Sequence, residues 1–222
     1  MNFLLPFRFN YFYPKFKKQP ITILDVGCGN QSPTVTKKYF PHCIYHGVDR
    51  ANYNNSDQDM AMMDAYFELD LEHSALDELS DNFYDLIVLA HVIEHIDNGL
   101  DVVERLSKKL KSGGHIYIEY PSLKSLRLPS AHGSLHFCDD DTHKRLYHMM
   151  DIANQLMANG CRIVVAKTRR SKIRLFLSPI GFVFNVFYFL FKGNFHCWLM
   201  WDIFGFAEFI IAKKHVTQSN IR

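Results

Sequence analysis

Two acids and two glycines near the start of the chain could together bind a nucleoside. An apolar run that contains Asp25 leads into Gly27 and Gly29, with Cys28 between them, and a second apolar run ends at Asp49. Glycine lets the backbone turn tightly and approach a ligand without a Cβ in the way. An acid at the end of the second run can accept hydrogen bonds from both ribose hydroxyls. This pattern is typical of the nucleoside pocket of an open α/β sheet.

The loop after these glycines distinguishes between classes of ligand. A dinucleotide fingerprint has a third glycine where this chain has Ser32, at a helix N-terminus that holds a pyrophosphate. Here Asn30 and Gln31 follow the second glycine, and Pro33 follows the serine. A ligand with a ribose and no phosphate fits better, and S-adenosylmethionine is the obvious candidate. A nucleotide-dependent oxidoreductase is the less favoured enzymatic alternative.

The elements that must position these residues alternate along the chain. Apolar runs predict strands over 21–26, 43–49, 67–71, 84–90, 115–120, 161–166 and 206–212. Helical spacing and end signals predict helices over 33–40, from the end of the fourth strand to Lys111 before Gly113-Gly114, and from an N-cap at Asp141 to Gly160. Alternating strands and helices indicate an α/β fold with a mainly parallel sheet.

Size, charge and cysteine content narrow the class of protein. The 222 residues suffice for one α/β domain with a modest extension. A net charge of +2 gives no reason to expect a nucleic-acid partner. The five cysteines are scattered without a Cys-x-x-Cys pair, which favours reduced thiols. Because the N-terminus also lacks the residue order of a signal peptide, we expect a cytoplasmic protein.

Four segments in order resemble the class I S-adenosylmethionine-dependent methyltransferases. Residues 24–29 resemble the family's first motif, and residues 47–49 its ribose-binding acid. Residues 69–71 resemble its adenine-binding turn. Residues 84–96, followed by 110–114, resemble the fourth strand, its helix and the entry to the fifth strand. The resemblance covers roughly residues 21–166 and the last strand, and four motifs in order are far more specific than one.

The resemblance implies a fold and a cofactor site. The fold is a Rossmann-like, seven-stranded, mostly parallel sheet with helices on both faces and an antiparallel last strand. The cofactor is S-adenosylmethionine. The residues expected to bind it are Asp25, which orients the loop and the methionine amine; Gly27, Cys28 and Gly29 beneath the cofactor; Asp49 and Arg50 at the ribose; Asp70 and Leu71 at the adenine; and Ala90 and His91 near the methionine.

Three histidines are candidates for a general base, since imidazole titrates near neutrality. His91 follows the fourth strand, where open α/β sheets place their chemistry. His136 and His143 lie in a segment, 136–145, that resembles the acceptor-pocket lining of many bacterial small-molecule and glycan methyltransferases. Pocket walls or caps are the alternative roles, because methyl transfer depends mainly on in-line positioning.

We expect no metal ion in this protein. The histidines and aspartates between 132 and 143 fit no standard zinc spacing, and Asp141 is already assigned to a helix cap. Glu94 and His95 are expected on the first turn of a helix, where a carboxylate is favourable for structural reasons alone.

A long aromatic stretch, 173–191, lies between the sixth and last predicted strands. Pro179, Gly181 and Asn185 interrupt it, and it is near the short limit for a membrane span. A span would also separate the last strand from its sheet, so we predict a helical insert instead. Two interpretations stay open: a helical cap or homodimer surface, or a segment that lies in a membrane interface with help from aromatic and basic residues 1–18.

These observations divide the chain and define its expected activity. The divisions are an aromatic-basic segment (1–20), a methyltransferase core (21–170), the aromatic insert (171–202) and the last strand with its tail (203–222). The expected reaction moves a methyl group from S-adenosylmethionine to an oxygen or nitrogen of a small molecule, with a saccharide or lipid-linked metabolite favoured. A lipid-linked acceptor would place the enzyme peripherally at the inner face of the membrane. The non-enzymatic alternative is a methyltransferase-like partner subunit.

Overall fold

A seven-stranded sheet organises the molecule. A computed structural model describes residues 5–193, 196–197 and 200–216, so residues 1–4 of the N-terminal segment and 217–222 of the tail lie outside the description. The strands are β1 (Thr22–Val26), β2 (Ile44–Asp49), β3 (Ala65–Glu68), β4 (Tyr84–Ala90), β5 (Leu110–Pro121), β6 (Cys161–Thr168) and β7 (Ala207–Lys214). Their order is β3-β2-β1-β4-β5-β7-β6, and β7 runs antiparallel to both of its neighbours. The predicted Rossmann-like fold is confirmed.

Helices connect the strands and cover both faces of the sheet. The α-helices are α1 (Tyr13–Phe16), α2 (Ser32–Tyr39), α3 (Asp57–Ala61), α4 (Gly99–Lys109), α5 (Met149–Ala158), α6 (Lys172–Phe176), α7 (Ser178–Lys192) and α8 (Met200–Phe204). Short 3-10 helices span Phe7–Phe9, Ile93–His95, Leu123–Arg127 and Phe137–Asp139. Because successive strand residues point to opposite faces, β1 contributes Leu24 to the core under α4 and α5 and Ile23 to the core on the other face.

The N-terminal segment is part of the second core. Phe9, Phe12 and Phe16 are buried against the sheet, and Arg8 reaches the hydroxyl of Ser32 at 2.8 Å. These rings replace solvent with apolar contacts over the face of β1 and β4. The expectation that the N-terminal aromatics help to contact a membrane is therefore wrong for these three residues.

Helix boundaries differ from the prediction around β4 and β5. Glu94 and His95 lie on a separate 3-10 helix rather than on the first turn of α4, because the Glu94 carbonyl accepts the backbone N–H groups of Lys144 and Arg145 instead of continuing a helix. The helix before β5 ends at Lys109, and β5 already includes Gly113 and Gly114.

The N-cap assigned to Asp141 is also wrong. The side chain of Asp140 accepts the Thr142 N–H at 2.9 Å, which forms a local turn that competes with helix formation. Helix α5 begins only at Met149, and the imidazole of His148 caps it by accepting the Met150 N–H at 3.2 Å. The third strand likewise ends at Glu68, so Asp70 and Leu71 lie in the turn that follows it.

The aromatic insert is helical, as predicted, but one side of α7 faces away from the protein. Gly181 and Asn185 are its buried residues, and the side-chain Oδ1 of Asn185 accepts the His196 backbone N–H at 2.8 Å. Phe182 and Phe191 are 71% and 82% exposed. Among the described helices, none combines the length and apolar character that crossing a membrane requires.

Candidate functional site

The register of the sheet brings the predicted cofactor residues to one edge. Val26 pairs with Val48 of β2 and with Leu89 of β4, and Asp49 pairs with Glu68 of β3. All four strands are parallel, so their carboxyl ends meet at the same edge. The glycine loop, Asp49, the turn after β3 and the end of β4 are therefore neighbours.

The glycine loop has a backbone that only glycine fits easily. Gly27 has a φ of +75°, and its N–H donates to the Val48 carbonyl at 2.8 Å. A Cβ at Gly27 would come within 2.3 Å of the Val92 side chain, and a Cβ at Gly29 within 2.7 Å of the Tyr53 carbonyl oxygen. The loop is thus held tightly on the protein side, with its backbone open to close approach by a ligand.

Asp49 lies directly against this loop. Its carboxylate accepts the Arg50 backbone N–H, with an N···Oδ1 distance of 2.8 Å. Burial raises the pKa of Asp49, and the nearby backbone N–H groups of Arg50, Ala51 and Gly29 oppose that effect. The bond from Arg50 orients the carboxylate at the end of β2, where further lone pairs can accept ribose hydroxyls. The Arg50 side chain is exposed beside it.

Asp25 and Cys28 face the protein interior. The buried Asp25 carboxylate accepts the Tyr45 hydroxyl at 2.8 Å and the hydroxyl of Ser32, the first residue of α2. Asp25 thus joins β1 to the start of the next helix and orients the loop between them. Burial raises the pKa of the Cys28 thiol, and the Cys28 carbonyl accepts the Asn55 side-chain N–H at 3.1 Å.

The turn after β3 presents Asp70 and Leu71 beside the pocket. Asp70 accepts the Glu72 N–H at 2.9 Å, and this bond, followed by the contact with His73, lowers its pKa. Leu71 is buried at 9% exposure, which fixes its backbone in the turn. This geometry is compatible with the adenine roles that the sequence predicts.

His91 immediately follows Ala90 at the end of β4 and lies between two carboxylates. Its Nδ1 is 3.0 Å from Glu94 Oε1 and its Nε2 is 3.1 Å from Glu119 Oε1. Burial alone would lower the pKa of His91, but the two carboxylates raise it to about 9. At neutral pH the ring is a bound imidazolium with both N–H groups donated. This argues against the predicted role of His91 as a general base.

The charge pair behind His91 was not identified from the sequence. Arg169 Nε lies 3.3 Å from Glu119 Oε1, and both side chains are buried. Burial would raise the pKa of Glu119, but hydrogen bonds from His91 and Tyr117 and the charge of Arg169 hold it at about 2. The one usable signal was Glu119 itself, an acid inside the otherwise apolar run of β5.

The other two candidate bases are also hydrogen-bonded. His136 Nδ1 accepts the Cys138 N–H at 3.1 Å as the cap of a 3-10 helix, and its Nε2 lies 3.1 Å from the Leu126 carbonyl oxygen. His143 Nδ1 lies 2.6 Å from the Phe137 carbonyl oxygen, which leaves Nε2 without a strong donor or acceptor contact. His136 is better explained as a cap, whereas His143 keeps a lone pair for other chemistry.

The family of the protein follows from a comparison of its sequence with protein-family profiles. The profile described as a methyltransferase domain matches residues 4–166. The chain therefore belongs to this methyltransferase family, and its fold is that of the class I S-adenosylmethionine-dependent enzymes. This membership disfavours the oxidoreductase alternative. No curated protein sequence matches the chain significantly.

Solved structures share the fold. An S-adenosylmethionine-dependent methyltransferase from Archaeoglobus fulgidus is 21% identical, with 93% of this chain and 91% of that chain covered and a TM-score of 0.58. Another from Mesorhizobium loti is 12% identical, with coverages of 89% and 93% and a TM-score of 0.59. An O-methyltransferase family protein from Burkholderia thailandensis is 13% identical, with coverages of 92% and 54% and a TM-score of 0.58.

The residues at the sheet edge fit the cofactor of this class. A Cβ at either loop glycine would collide with the protein, so the loop keeps a bare backbone beneath the pocket. Asp49 supplies acceptors for a ribose, and the turn at Asp70 lies one strand further along. The methyltransferase class, the glycine loop and Asp49 all indicate S-adenosylmethionine as the cofactor.

Proposed function

We propose that this protein transfers the methyl group of S-adenosylmethionine to an oxygen or nitrogen of a small acceptor carried at a membrane surface, such as a lipid-linked saccharide or metabolite. The observation that supports the cofactor part is that the bare glycine loop meets the acid at the carboxyl edge of β1 and β2, where the Gly27 N–H donates to the carbonyl of Val48, the residue before Asp49. The observation that supports the membrane part is the exposed aromatic side of α7.

The chemistry divides between cofactor and protein. When bound, S-adenosylmethionine supplies an electrophilic methyl group on its sulfonium. The glycine loop and Asp49 bind and orient the nucleoside, and Asp25 fixes the loop from behind. His91, Glu94, Glu119 and Arg169 hold the end of β4 rigidly through their ion pairs and hydrogen bonds. Rigid alignment of this kind is what methyl transfer requires.

The acceptor would approach over the end of β4. Trp201 of α8 packs on the His91 ring at 5.1 Å between centroids, and its indole N–H donates to the Ser134 carbonyl at 2.7 Å. The insert and the loop after β5 therefore meet above this edge of the sheet. We propose that these two segments form the acceptor pocket and exclude water from it.

Replacement of Asp49 by alanine is expected to weaken binding of S-adenosylhomocysteine by about 10- to 100-fold, because hydrogen bonds to a charged group contribute about 1.5–3 kcal/mol. Isothermal titration calorimetry on the wild type and the variant measures this change. Asp151→Ala, at an exposed position of α5, is the matched control and should bind like the wild type. No binding by folded wild-type protein would contradict the enzyme proposal and favour a partner-subunit role.

The membrane part of the proposal rests on what α7 presents to solvent. This helix exposes five large apolar side chains, those of Ile180, Phe182, Phe187, Leu190 and Phe191. An exposed apolar patch of this size usually marks a site that binds a membrane or another protein. Basic residues Lys172 and Lys192 lie at the two ends of the α6–α7 segment and are exposed as well. Aromatic side chains flanked by cations are typical of helices that lie in a membrane interface. A cap packed on the core is disfavoured by the same exposure.

The variant Phe187→Ser/Leu190→Ser is expected to reduce binding to vesicles of phosphatidylcholine and phosphatidylglycerol by at least tenfold. These two exposed side chains lie on the same side of α7, and each contributes about 1.5–3 kcal/mol when buried. Co-sedimentation with these vesicles gives the bound fraction. Met150→Ser, which removes an exposed apolar side chain of α5, serves as the control and should leave binding unchanged. Membrane binding would be refuted if the wild-type protein does not bind vesicles. If it instead forms dimers that the double variant does not form, α7 is a dimer surface.

A further inference from the structure

Three potential metal ligands converge beside the end of β4. One carboxylate oxygen of Glu94 and one ring nitrogen each of His95 and His143 lie within 4.8 Å of one another. Glu94 and His95 come from the 3-10 helix after β4, whereas His143 comes from the loop before α5. The histidine rings are 4.9 Å apart between centroids. Contacts between distant parts of the chain thus create a two-histidine, one-carboxylate cluster.

The hydrogen bonds of both histidines leave the same nitrogen available. The Phe137 carbonyl can only accept, so His143 Nδ1 must donate to it and a neutral ring keeps its lone pair on Nε2. His95 Nδ1 contacts the carbonyl and hydroxyl oxygens of Thr142, and that hydroxyl already donates to Asp140. His95 Nδ1 is therefore also the donor, which leaves Nε2 as an acceptor. In metal-binding histidines, the ring nitrogen that does not bind the metal typically donates its N–H to an oxygen in this way.

Glu94 supplies an independent indication of a ligand. Its side chain is nearly fully buried, with 1% of the residue exposed. Oε1 is bound by His91, but Oε2 has no hydrogen-bond partner among the residues that the structure describes. A buried carboxylate oxygen without a partner is costly. A cation at the cluster would satisfy this oxygen together with the two nitrogen lone pairs.

We propose that Glu94, His95 and His143 bind a divalent transition-metal cation of the zinc, iron or manganese kind. Two imidazoles and one carboxylate suit these ions better than calcium or magnesium, which prefer oxygen ligands alone. Three protein ligands leave coordination positions open for a small molecule. Resting on the proposed function, the site would hold an oxygen of the acceptor, because it lies next to His91 at the end of β4. The sequence predicted no metal, since it gave no reason to combine Glu94 and His95 with His143.

A second cluster provides the comparison. Asp70, Glu72 and His73 also lie within metal-binding distance of one another. There, however, Glu72 is paired with Lys144 at 2.7 Å and Asp70 with His73 at 3.3 Å, so the carboxylates already have cationic or hydrogen-bonding partners. His73 is exposed, and replacing it leaves the first cluster intact.

The test is a Co²⁺ titration of the full chain after treatment with a chelator, followed by calorimetry and visible absorption. The proposal predicts one Co²⁺ per chain with a d–d absorption band, and an affinity about 100-fold lower or undetectable in His95→Ala and in His143→Ala. His73→Ala should bind like the wild type. Binding of S-adenosylhomocysteine, measured on the same samples, reports the cofactor pocket separately, so a failed metal site and a failed methyltransferase assignment are distinguishable.

Protection of the histidines gives a second measurement that needs no variant. Co²⁺ should shield His95 and His143 of the wild type from modification by diethyl pyrocarbonate, as read by mass spectrometry, and should leave His73 reactive. No saturable Co²⁺ binding by the wild type would overturn the proposal. Binding that survives in both cluster variants, or that is lost in His73→Ala, would overturn it equally.

Discussion

Replacement of Glu119 by glutamine is expected to lower the free energy of unfolding by about 3–5 kcal/mol, because removing one member of a buried ion pair leaves the remaining charges uncompensated. Glu119 is the carboxylate shared by His91 and Arg169, at 3.1 and 3.3 Å. In the variant, His91 would keep Glu94 as a counter-charge, whereas Arg169 would stay buried without the carboxylate that it now pairs with. The melting temperature should fall by about 10 °C.

The control for Glu119 is another acid of the same sheet with the opposite electrostatic environment. Burial raises the pKa of Glu208 on β7, whereas the partners of Glu119 hold its pKa at about 2. Glu208→Gln should therefore be neutral or slightly stabilising. Urea unfolding of both variants measures the difference, and equal effects would show that the Glu119 network contributes nothing specific to stability.

The methyltransferase scaffold could be predicted because local sequence encodes it. Apolar runs of strand length end at acids or glycines, and the φ of +75° at Gly27 is a conformation that other residues rarely adopt. The spacing between Gly29 and Asp49 is that of two neighbouring parallel strands, so the glycine loop and Asp49 meet at the same edge of the sheet. Such signals depend only on residues that are close together in the chain, so one sequence is enough to detect them.

The helix starts were predicted less well because tertiary contacts override local preference. Asp141 is a residue type that commonly caps helices. However, an extended stretch follows the turn formed by Asp140 and Thr142, and α5 begins only at Met149, capped by His148. The Glu94 carbonyl is used by the loop at 144–145, which separates the 3-10 helix from α4. Neither bond is visible in the spacing of apolar residues.

The roles of the histidines could not be read from the sequence for the same reason. His91 is held by Glu119, 28 positions away, and His143 meets His95, 48 positions away, only after the loop folds back. Spacing along the chain identifies a motif, whereas the pKa of His91 depends on carboxylates that the 3-10 helix after β4 and strand β5 bring to it. The sequence therefore located the site better than it assigned the chemistry of its members.

The N-terminal segment illustrates how composition alone misleads. Aromatic residues beside lysines resemble a membrane-interface segment, but Phe12 and Phe16 pack on the ring of His115 in β5, at 5.9 and 6.0 Å between centroids. The histidine is 2% exposed as a result. The segment thus contributes to the core, and it places a titratable group where water is excluded.

This burial predicts a dependence of stability on pH. Burial, followed by the positive charges of Lys15, Lys213 and Arg162, lowers the pKa of His115 from 6.5 to about 4. Between pH 6.5 and 4, His115 therefore binds a proton in the unfolded chain but stays neutral in the folded chain. The stability contributed by neutral His115 is fully present above pH 6.5 and is lost as the pH falls towards 4, with a total of about 3 kcal/mol.

Replacement of His115 by phenylalanine should make the free energy of unfolding less dependent on pH between 6.5 and 4, because the ring is kept and the titrating nitrogen is removed. Urea unfolding of the wild type and the variant at several pH values in this window measures the difference between the two slopes. His42→Phe, at an exposed turn before β2, should retain the wild-type slope. Parallel curves for His115→Phe and the wild type would show that His115 is protonated in the folded protein as readily as in the unfolded chain, and that the N-terminal rings do not exclude its charge.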